Sequence, residues 1–230
     1  MTLIHAQLQT VRARMAAACL AAGRDVGDVT LLAVSKTFGA EAVAQAYAAG
    51  QTAFGENYIQ EAVQKITQLR HLPLQWHCIG PIQSNKTRLV AEHFDWVHTV
   101  ERLKTAQRLS EQRPSHLAPL QVCIQVNVDG GDNKSGALAQ DALALAQQVA
   151  ALPRLRLRGV MSIPEPAPDY VAACALFAKV KEVFEGLNKE GLALDTLSMG
   201  MSADLEAAIQ AGSTMVRVGS AIFGERSRSG

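Results

Sequence analysis

Lys36 is the residue whose type and position point most directly to covalent chemistry. It follows the apolar run VTLLAVS (residues 29–35) and shares side-chain parity with Leu32 and Val34 on one face of a predicted strand. Partial desolvation at the end of such a strand favours the neutral amine, which can attack a carbonyl carbon. A lysine that simply extends into solvent beyond the strand is the alternative interpretation.

Two motifs near the end of the chain could hold a phosphate group. Ser202 precedes the helical stretch DLEAAIQAG, and helix N-termini attract phosphate, although the same serine could be a plain N-cap. Gly219 and Ser220 follow the apolar run TMVRV (214–218). In α/β barrels, phosphate sites are often built from the loops after the last two strands together with a short helix.

Arg217 lies within the last apolar run, where it alternates with Val216 and Val218. An arginine in such a strand needs a partner, which is either a structural ion pair or a ligand at the strand end. An amine, an arginine and a phosphate-binding motif together describe a site for a phosphorylated aldehyde, and pyridoxal 5′-phosphate (PLP) has that chemistry. A barrel that binds a different sugar phosphate without an imine is the competing hypothesis.

The elements that must position these residues follow a regular alternation of strand and helix. Such alternation over eight units predicts a closed (β/α)8 barrel of the TIM type, with an extra N-terminal helix over residues 1–23. A doubly wound open sheet is the alternative fold. The predicted strands are VTLLAVS, TAFG, LQWHCIG, DWVHTV, LQVCIQVNV, LRLRGVM, LDTLSM and TMVRVG, and the stretch ALAQDALALAQQVAAL (137–152) is one of the helices between them.

Length and composition exclude several classes of protein. The 230 residues fit one domain over 1–230, with a polar tail at 225–230 that we expect to be flexible. A net charge of +1 gives no reason to expect nucleic acid, and no apolar stretch is long enough for a membrane span. Four separated cysteines without metal-ligand spacing predict reduced thiols and no metal site. We therefore expect a cytoplasmic protein, and we favour a monomer because no exposed apolar stripe is evident.

Other polar residues follow predicted strands without a clear chemical role. Glu56 and Asn57 could begin a helix. His77 lies between Trp and Cys in an apolar run, where a hydrogen-bonded core histidine is the simpler interpretation. Lys134, in the loop GGDNKSG, is more typical of a surface or structural contact than of a second Schiff-base lysine.

Several motifs in a fixed order resemble the family of PLP homeostasis proteins. They span residues 29–224 and comprise LLAVSKT, FGENYIQEA, WHCIGPIQSNK, FDWVHTV, GVMSIP, LSMGMSADLEAAI and GSTMVRVGSAIFG. The resemblance implies the barrel of the alanine racemase N-terminal domain, which is PLP fold type III. It also implies that Lys36 carries PLP, that Ser202, Gly219 and Ser220 bind its phosphate, and that Arg217 faces the pyridine nitrogen. Asn57, His77 and Met199 lie in the same motifs and are counted with the cofactor-binding residues.

The resemblance further implies a carrier or buffer of PLP in vitamin B6 balance, with little or no catalysis and transient contacts with apo PLP enzymes. An arginine opposite the pyridine nitrogen disfavours the pyridinium form and weakens the ring as an electron sink. Racemases compensate with a second base, and none of Tyr47, Tyr58 and Tyr170 stands in a sequence context typical of that base. We therefore expect no catalytic residues, and a small amino-acid racemase is the alternative.

Overall fold

The structure, a computed structural model, describes residues 2–129 and 135–224. The predicted contact of Lys134 and the predicted flexible tail at 225–230 lie outside these residues. The strands are β1 Thr30–Val34, β2 Ala53–Glu56, β3 Gln75–Cys78, β4 Trp96–Val100, β5 Leu120–Asn127, β6 Ala137–Leu138, β7 Leu155–Met161, β8 Thr196–Ser198 and β9 Met215–Val218. The helices are α1 Leu3–Ala21, α2 Ala40–Ala48, α3 Ile59–Gln68, α4 Thr87–His93, α5 Leu103–Gln112, α6 Ala142–Ala150, α7 Tyr170–Lys189, α8 Leu205–Gln210 and α9 Ser220–Phe223.

The strands close into a barrel, as the alternating pattern predicts. Within the described residues, eight parallel strands pair in the order β1, β2, β3, β4, β5, β7, β8 and β9, and β9 returns to pair with β1. Since the strands are parallel, their carboxyl ends meet at one mouth, where the loops that precede the helices also converge. The alternative of an open sheet is therefore wrong.

The predicted N-terminal helix is confirmed as α1. Its N-cap is Thr2, whose side chain accepts a hydrogen bond from the His5 N–H at 3.2 Å. Gly23 ends the helical segment with a φ of +65°, which a glycine adopts without steric cost. The buried face of α1 includes Leu8 and Val11, and the helix packs against α8 and α9 on the outside of the barrel.

The helix predicted over residues 137–152 begins later than expected. Ala137 and Leu138 form the short strand β6 beside the end of β5, a 3₁₀ turn follows, and α6 begins at Ala142. The cause is Gly136, whose φ is +118° and whose position leaves no room for a Cβ against the backbone of Val126 and Asn127. Tertiary contact with β5 therefore overrides the helical preference of these alanine-rich residues.

The interior of the barrel is divided between apolar and polar sectors. One apolar sector is formed by Leu32, Val34, Ala53, Ile79 and Met215, and another by Trp96, Cys123 and Met161. Between them lies a polar sector of His77, His98, Ser198 and Arg217, all buried. Barrel interiors are usually filled by branched aliphatic side chains, so this polar sector requires an explanation.

Candidate binding site at the barrel mouth

A cavity of about 740 Å³ opens at the carboxyl ends of the strands. It brings together six of the eight residues that the sequence predicts to bind a cofactor, although these residues lie up to 184 positions apart in the chain, from 36 to 220. These six are Lys36, Asn57, Ser202, Arg217, Gly219 and Ser220. The remainder of the wall is mostly apolar and includes Val34, Phe38, Ile79, Ile163 and Met201.

Lys36 is half-buried just beyond β1, in the first βα loop. The loop turns sharply, since Thr37 has a φ of +70°, an uncommon value for a residue with a branched side chain. The turn is held by the Thr37 N–H, which donates to Glu61 Oε1 at 2.8 Å. A side chain of α3 therefore holds the backbone immediately after Lys36.

A buried ion pair fixes the backbone immediately before Lys36. Lys65 Nζ lies 2.6 Å from Glu56 Oε1 and donates to the Ser35 carbonyl oxygen at 2.8 Å, while the Ser35 hydroxyl donates to the same Glu56 oxygen at 2.5 Å. Burial raises the pKa of Glu56, and the Lys65 ammonium opposes that effect. Glu56 is thus the last residue of the buried strand β2, and the prediction that it begins a helix is wrong. Its carboxylate is buried against Lys65 of α3.

Arg217 projects into the barrel and forms part of the cavity floor, with only 4% of its surface exposed. Its Nη1 donates to Ser198 Oγ at 2.8 Å and its Nη2 donates to the Ser162 carbonyl oxygen at 3.1 Å. Burial lowers the pKa of Arg217 to about 10, so the guanidinium stays protonated at neutral pH. Both partners are neutral oxygens. Among the described residues, Arg217 therefore does not form the structural ion pair that was the alternative.

A chain of hydrogen bonds continues from Arg217 away from the mouth. His98 Nδ1 lies 2.9 Å from Ser198 Oγ, and His98 Nε2 lies 2.8 Å from His77 Nδ1. His77 Nε2 then lies 3.1 Å from Gln75 Oε1, at the exposed start of β3. The chain therefore crosses the barrel interior from the mouth to the opposite end.

The hydrogen bonds of this series run in one donor-to-acceptor direction, because arginine can only donate. Arg217 must donate to Ser198, and the Ser198 proton then has its acceptor in His98 Nδ1. His98 can donate from Nε2 to His77, and His77 can donate from Nε2 to Gln75, so that each imidazole carries one proton. Burial lowers the pKa of His77 to about 3 and that of His98 well below its ordinary value, which agrees with two neutral rings.

Ser202, Gly219 and Ser220 line the side of the cavity formed by the last two βα loops. Ser220 is the first residue of α9, and the first N–H groups of a helix have no intrahelical partner. The prediction that Ser202 caps the next helix is wrong. Asp204 is the N-cap of α8, and the Ser202 carbonyl oxygen instead accepts a hydrogen bond from Arg14 Nη2 at 3.1 Å, which ties this loop to α1.

His77 and Met199 do not reach the cavity wall. His77 is fully buried below the mouth and stacks on Trp96, with ring centroids 5.1 Å apart, so the simpler interpretation of a core histidine describes its surroundings. The Met199 side chain is fully buried in the hydrophobic core, and its carbonyl oxygen accepts from the Ser213 hydroxyl at 2.7 Å. Their assignment as cofactor-binding residues stays a prediction that the arrangement of the cavity does not support.

Sequence reasoning missed the residues that hold the predicted ones in place. Lys65 and Glu61 are charged residues of α3, and charged side chains are usually exposed. The neighbouring sequence gives no indication that Lys65 is buried. Ser198 and His98 each have the inward parity of their strands, which is a signal that could have been used. Their partnership could not be found, because they are separated by 100 residues.

The fold and the site define a class of protein. The sequence model of the family described as "Alanine racemase, N-terminal domain" matches residues 7–227, and the chain belongs to this family. The resemblance stated from the motifs is thereby confirmed, and so is the predicted barrel.

Individual relatives are similar over nearly their whole lengths. The pyridoxal phosphate homeostasis protein of Pseudomonas aeruginosa is 59% identical over 98% of this chain and 97% of its own. The protein of the same name from Escherichia coli K12 is 53% identical over 96% of each chain. PipY of Synechococcus elongatus PCC7942, solved with PLP bound, is 36% identical, with a TM-score of 0.84 over 96% of this chain and 100% of that one.

Alanine racemase of Corynebacterium glutamicum shares the fold alone. It is 21% identical, with a TM-score of 0.66, and this chain covers 63% of its length.

Within the described residues, no helix is long and apolar enough to cross a membrane.

Proposed function

We propose that this chain binds PLP as a Schiff base on Lys36 and serves in PLP homeostasis, as a carrier or buffer of the cofactor. The observation that carries the proposal is one cavity lined by Lys36, Arg217, Ser202 and Ser220. The names of the bacterial relatives and the PLP bound by PipY support the same ligand.

The residues present fit the chemistry of PLP. PLP supplies an aldehyde, a ring nitrogen and a phosphate dianion. The amine of Lys36 suits the aldehyde, and the hydroxyls of Ser202 and Ser220 with the first N–H groups of α9 suit the phosphate. Arg217, held from below by Ser198, suits the unprotonated ring nitrogen as a donor. Asn57 Oδ1 is buried without a hydrogen-bond partner among the described residues, which leaves an acceptor available to a ligand.

The same arrangement favours binding over catalysis. A protonated guanidinium opposite the ring nitrogen weakens the electron sink on which PLP enzymes depend. Among the described residues, no tyrosine, histidine or cysteine lines the cavity to act as a second base. Tyr58 and Tyr170 are 50% and 53% exposed elsewhere on the surface. We therefore propose little or no turnover, and transfer of PLP to apo enzymes through transient contacts.

The setting we propose is a cytoplasmic monomer. All four cysteines are free thiols, three of them buried, which suits a reducing compartment. Size-exclusion chromatography with light scattering would measure the molar mass, and a stable dimer would overturn the monomeric state while leaving the cofactor proposal intact.

The test of the function is the absorption spectrum of the purified protein titrated with PLP. We expect a visible band that borohydride abolishes, with mass spectrometry then mapping the reduced adduct to Lys36. Lys36→Ala should lose the band, whereas Lys179→Ala, which removes an exposed lysine on α7, should keep it. A protein that stays colourless with PLP, or an adduct on another lysine, would overturn the proposal and favour a barrel that binds a different phosphate.

The racemase alternative is tested separately. Loaded protein is incubated with L-amino acids, and the appearance of D-enantiomers is followed by chiral chromatography. Sustained turnover that disappears in Lys36→Ala would replace the carrier by an enzyme.

A further inference from the structure

Helix α1 packs beside the part of the mouth where we propose that the PLP phosphate binds. It contacts α8 and α9, the helices that follow β8 and β9. Its Arg14 side chain donates from Nη2 to the Ser202 carbonyl oxygen at 3.1 Å. Within the described part of the chain, no residue of α1 lines the cavity, so this bond connects the cavity wall to an element outside it.

Glu206 holds the Arg14 guanidinium in a fixed orientation. Arg14 Nε donates to Glu206 Oε1 and Arg14 Nη2 donates to Glu206 Oε2, each at 3.0 Å. Two bonds from one guanidinium to one carboxylate fix the plane of the guanidinium as well as its position. The remaining hydrogen of Nη2 is thereby directed at the Ser202 carbonyl oxygen.

The backbone of the loop before Ser202 is held by other contacts. Gly200 has a φ of +96°, and its carbonyl oxygen accepts from the Arg217 N–H at 2.9 Å. The Met201 N–H donates to Asp204 Oδ1 at 2.6 Å, and the Asp204 N–H donates to the Met201 carbonyl oxygen at 3.2 Å. The Ser202 carbonyl oxygen, in contrast, accepts from Arg14 and from no other donor among the described residues.

The peptide that Arg14 holds joins Ser202 to Ala203, and both residues line the cavity. A peptide unit is planar, and in the trans form its C=O and N–H point in opposite directions. The described residues contain no cis peptide bond. Since the Ser202 carbonyl oxygen points to α1, the Ala203 N–H points away from α1. That N–H donates to no acceptor in the described part of the chain, which leaves it available to an anion.

We propose that Arg14 is a positioning residue for the phosphate group of the cofactor. By holding the Ser202 carbonyl oxygen, Arg14 sets the peptide that presents the Ala203 N–H, so the loop is ordered before the phosphate arrives and less entropy is lost on binding. Arg14 does not touch the ligand, and its charge is paired with Glu206. The inference rests on the proposed function, since it requires a phosphorylated ligand in this cavity.

A purely structural role for Arg14 is the alternative, in which the pair with Glu206 only fastens α1 to α8. The side chains of this pair are 35% and 42% exposed, so its loss should leave the barrel folded. The two roles differ in their effect on ligands with and without a phosphate. A positioning role weakens the binding of the phosphorylated ligand alone, whereas a structural role weakens both ligands equally.

The test compares PLP with pyridoxal, the same aldehyde without its phosphate, in equilibrium dialysis against the purified protein. We expect Arg14→Met to weaken PLP binding about tenfold, the effect of one disturbed hydrogen bond to a charged group, and to change pyridoxal binding by less than about twofold. Arg14→Lys keeps the charge but lacks the planar guanidinium, so it should resemble Arg14→Met rather than the parent.

Arg12→Met is the matched control, because Arg12 is an arginine of the same helix that also donates to a backbone carbonyl oxygen. Its Nη1 donates to the Ala49 carbonyl oxygen at 2.9 Å, and Ala49 precedes β2 at the end of the barrel opposite the mouth. Arg12→Met should lower the free energy of unfolding in urea without changing the ratio of PLP affinity to pyridoxal affinity.

Equal losses of PLP and pyridoxal affinity in Arg14→Met, or a PLP affinity equal to that of the parent, would overturn the inference. Full recovery in Arg14→Lys would overturn it as well, because charge alone would then suffice. The absorption band of the imine is recorded in parallel. A parent that binds PLP without this band would refute the Schiff base on Lys36, while the two ligands would still decide the role of Arg14. A parent that binds no PLP would refute the proposed function and the inference with it.

Discussion

Arg217 donates a hydrogen bond from Nη1 to Ser198 Oγ at 2.8 Å, and this bond links the floor of the cavity to the polar interior of the barrel. Ser198 also contacts His98 Nδ1 at 2.9 Å, so one hydroxyl serves both an arginine and a histidine. Both partners are buried, and neither can turn to water if the hydroxyl is lost. The orientation of the guanidinium towards the mouth therefore depends on a residue that does not line the cavity.

Ser198→Ala is the first prediction. The substitution leaves Arg217 Nη1 and His98 Nδ1 without their partner, and each buried unsatisfied group costs about 1–3 kcal/mol. We expect the free energy of unfolding in urea to fall by about 2 kcal/mol or more, and PLP affinity to fall with it because Arg217 is less well held.

The control for this variant is Ser115→Ala, at an exposed position, which should change neither quantity. A Ser198→Ala protein as stable as the parent would mean that water or another side chain replaces the hydroxyl, and that Arg217 is positioned by Ser162 instead.

Lys65→Met is the second prediction. Loss of the ammonium leaves the fully buried Glu56 carboxylate unpaired, and removing one partner of a buried ion pair costs about 3–5 kcal/mol. The loop before Lys36 should also loosen, since Lys65 holds the Ser35 carbonyl oxygen. Urea unfolding measures the first effect, and the rate of proteolysis near residue 36 measures the second.

The matched control is Lys181→Met, which removes an exposed ion pair with Glu185 on α7. Exposed pairs contribute at most about 1 kcal/mol, so this variant should be nearly neutral. Equal losses in the two variants would show that the Glu56–Lys65 pair has no special role.

The third prediction concerns pH. Burial lowers the pKa of His77 to about 3, from an ordinary value of 6.5 in the unfolded chain. Between these values the unfolded state binds a proton that the native state does not, so the free energy of unfolding decreases as pH falls. The slope for this group approaches about 1.4 kcal/mol per pH unit below pH 6.

The slope is isolated by comparing His77→Gln with His116→Gln, which alters an exposed histidine. In urea unfolding between pH 4 and 7, His77→Gln should have a shallower loss of stability towards acid than the parent, and His116→Gln should follow the parent. An unchanged slope in His77→Gln would mean that the His77 ring already accepts a proton in the folded protein.

The fourth prediction addresses the side of the cavity where we propose that the PLP phosphate binds. Ser202→Ala and Ser220→Ala should each weaken PLP retention by about 1.5–3 kcal/mol, the range for hydrogen bonds to a charged group. Equilibrium dialysis against PLP measures the dissociation constant, with Ser115→Ala as the reference. Retention equal to the parent in both variants would mean that backbone N–H groups alone hold the phosphate.

The grouping of six predicted residues in the candidate site could be anticipated because their positions are encoded locally. Lys36 was found from an apolar run that ends in a lysine of inward parity, and Gly219 and Ser220 from a glycine and a hydroxyl after the last strand. Both patterns depend on neighbours within a few residues, and periodicity reports such neighbours directly.

The tertiary structure alone decided which inward residues meet. Gln75, His77, His98, Ser198 and Arg217 come from four strands, and their contacts arise from the register that closes the barrel. Side-chain periodicity states which face a residue occupies but not its partner across the interior. The amino-acid sequence thus determined the barrel and the strand ends that carry the candidate site residues, while strand register determined the hydrogen bonds that orient Arg217.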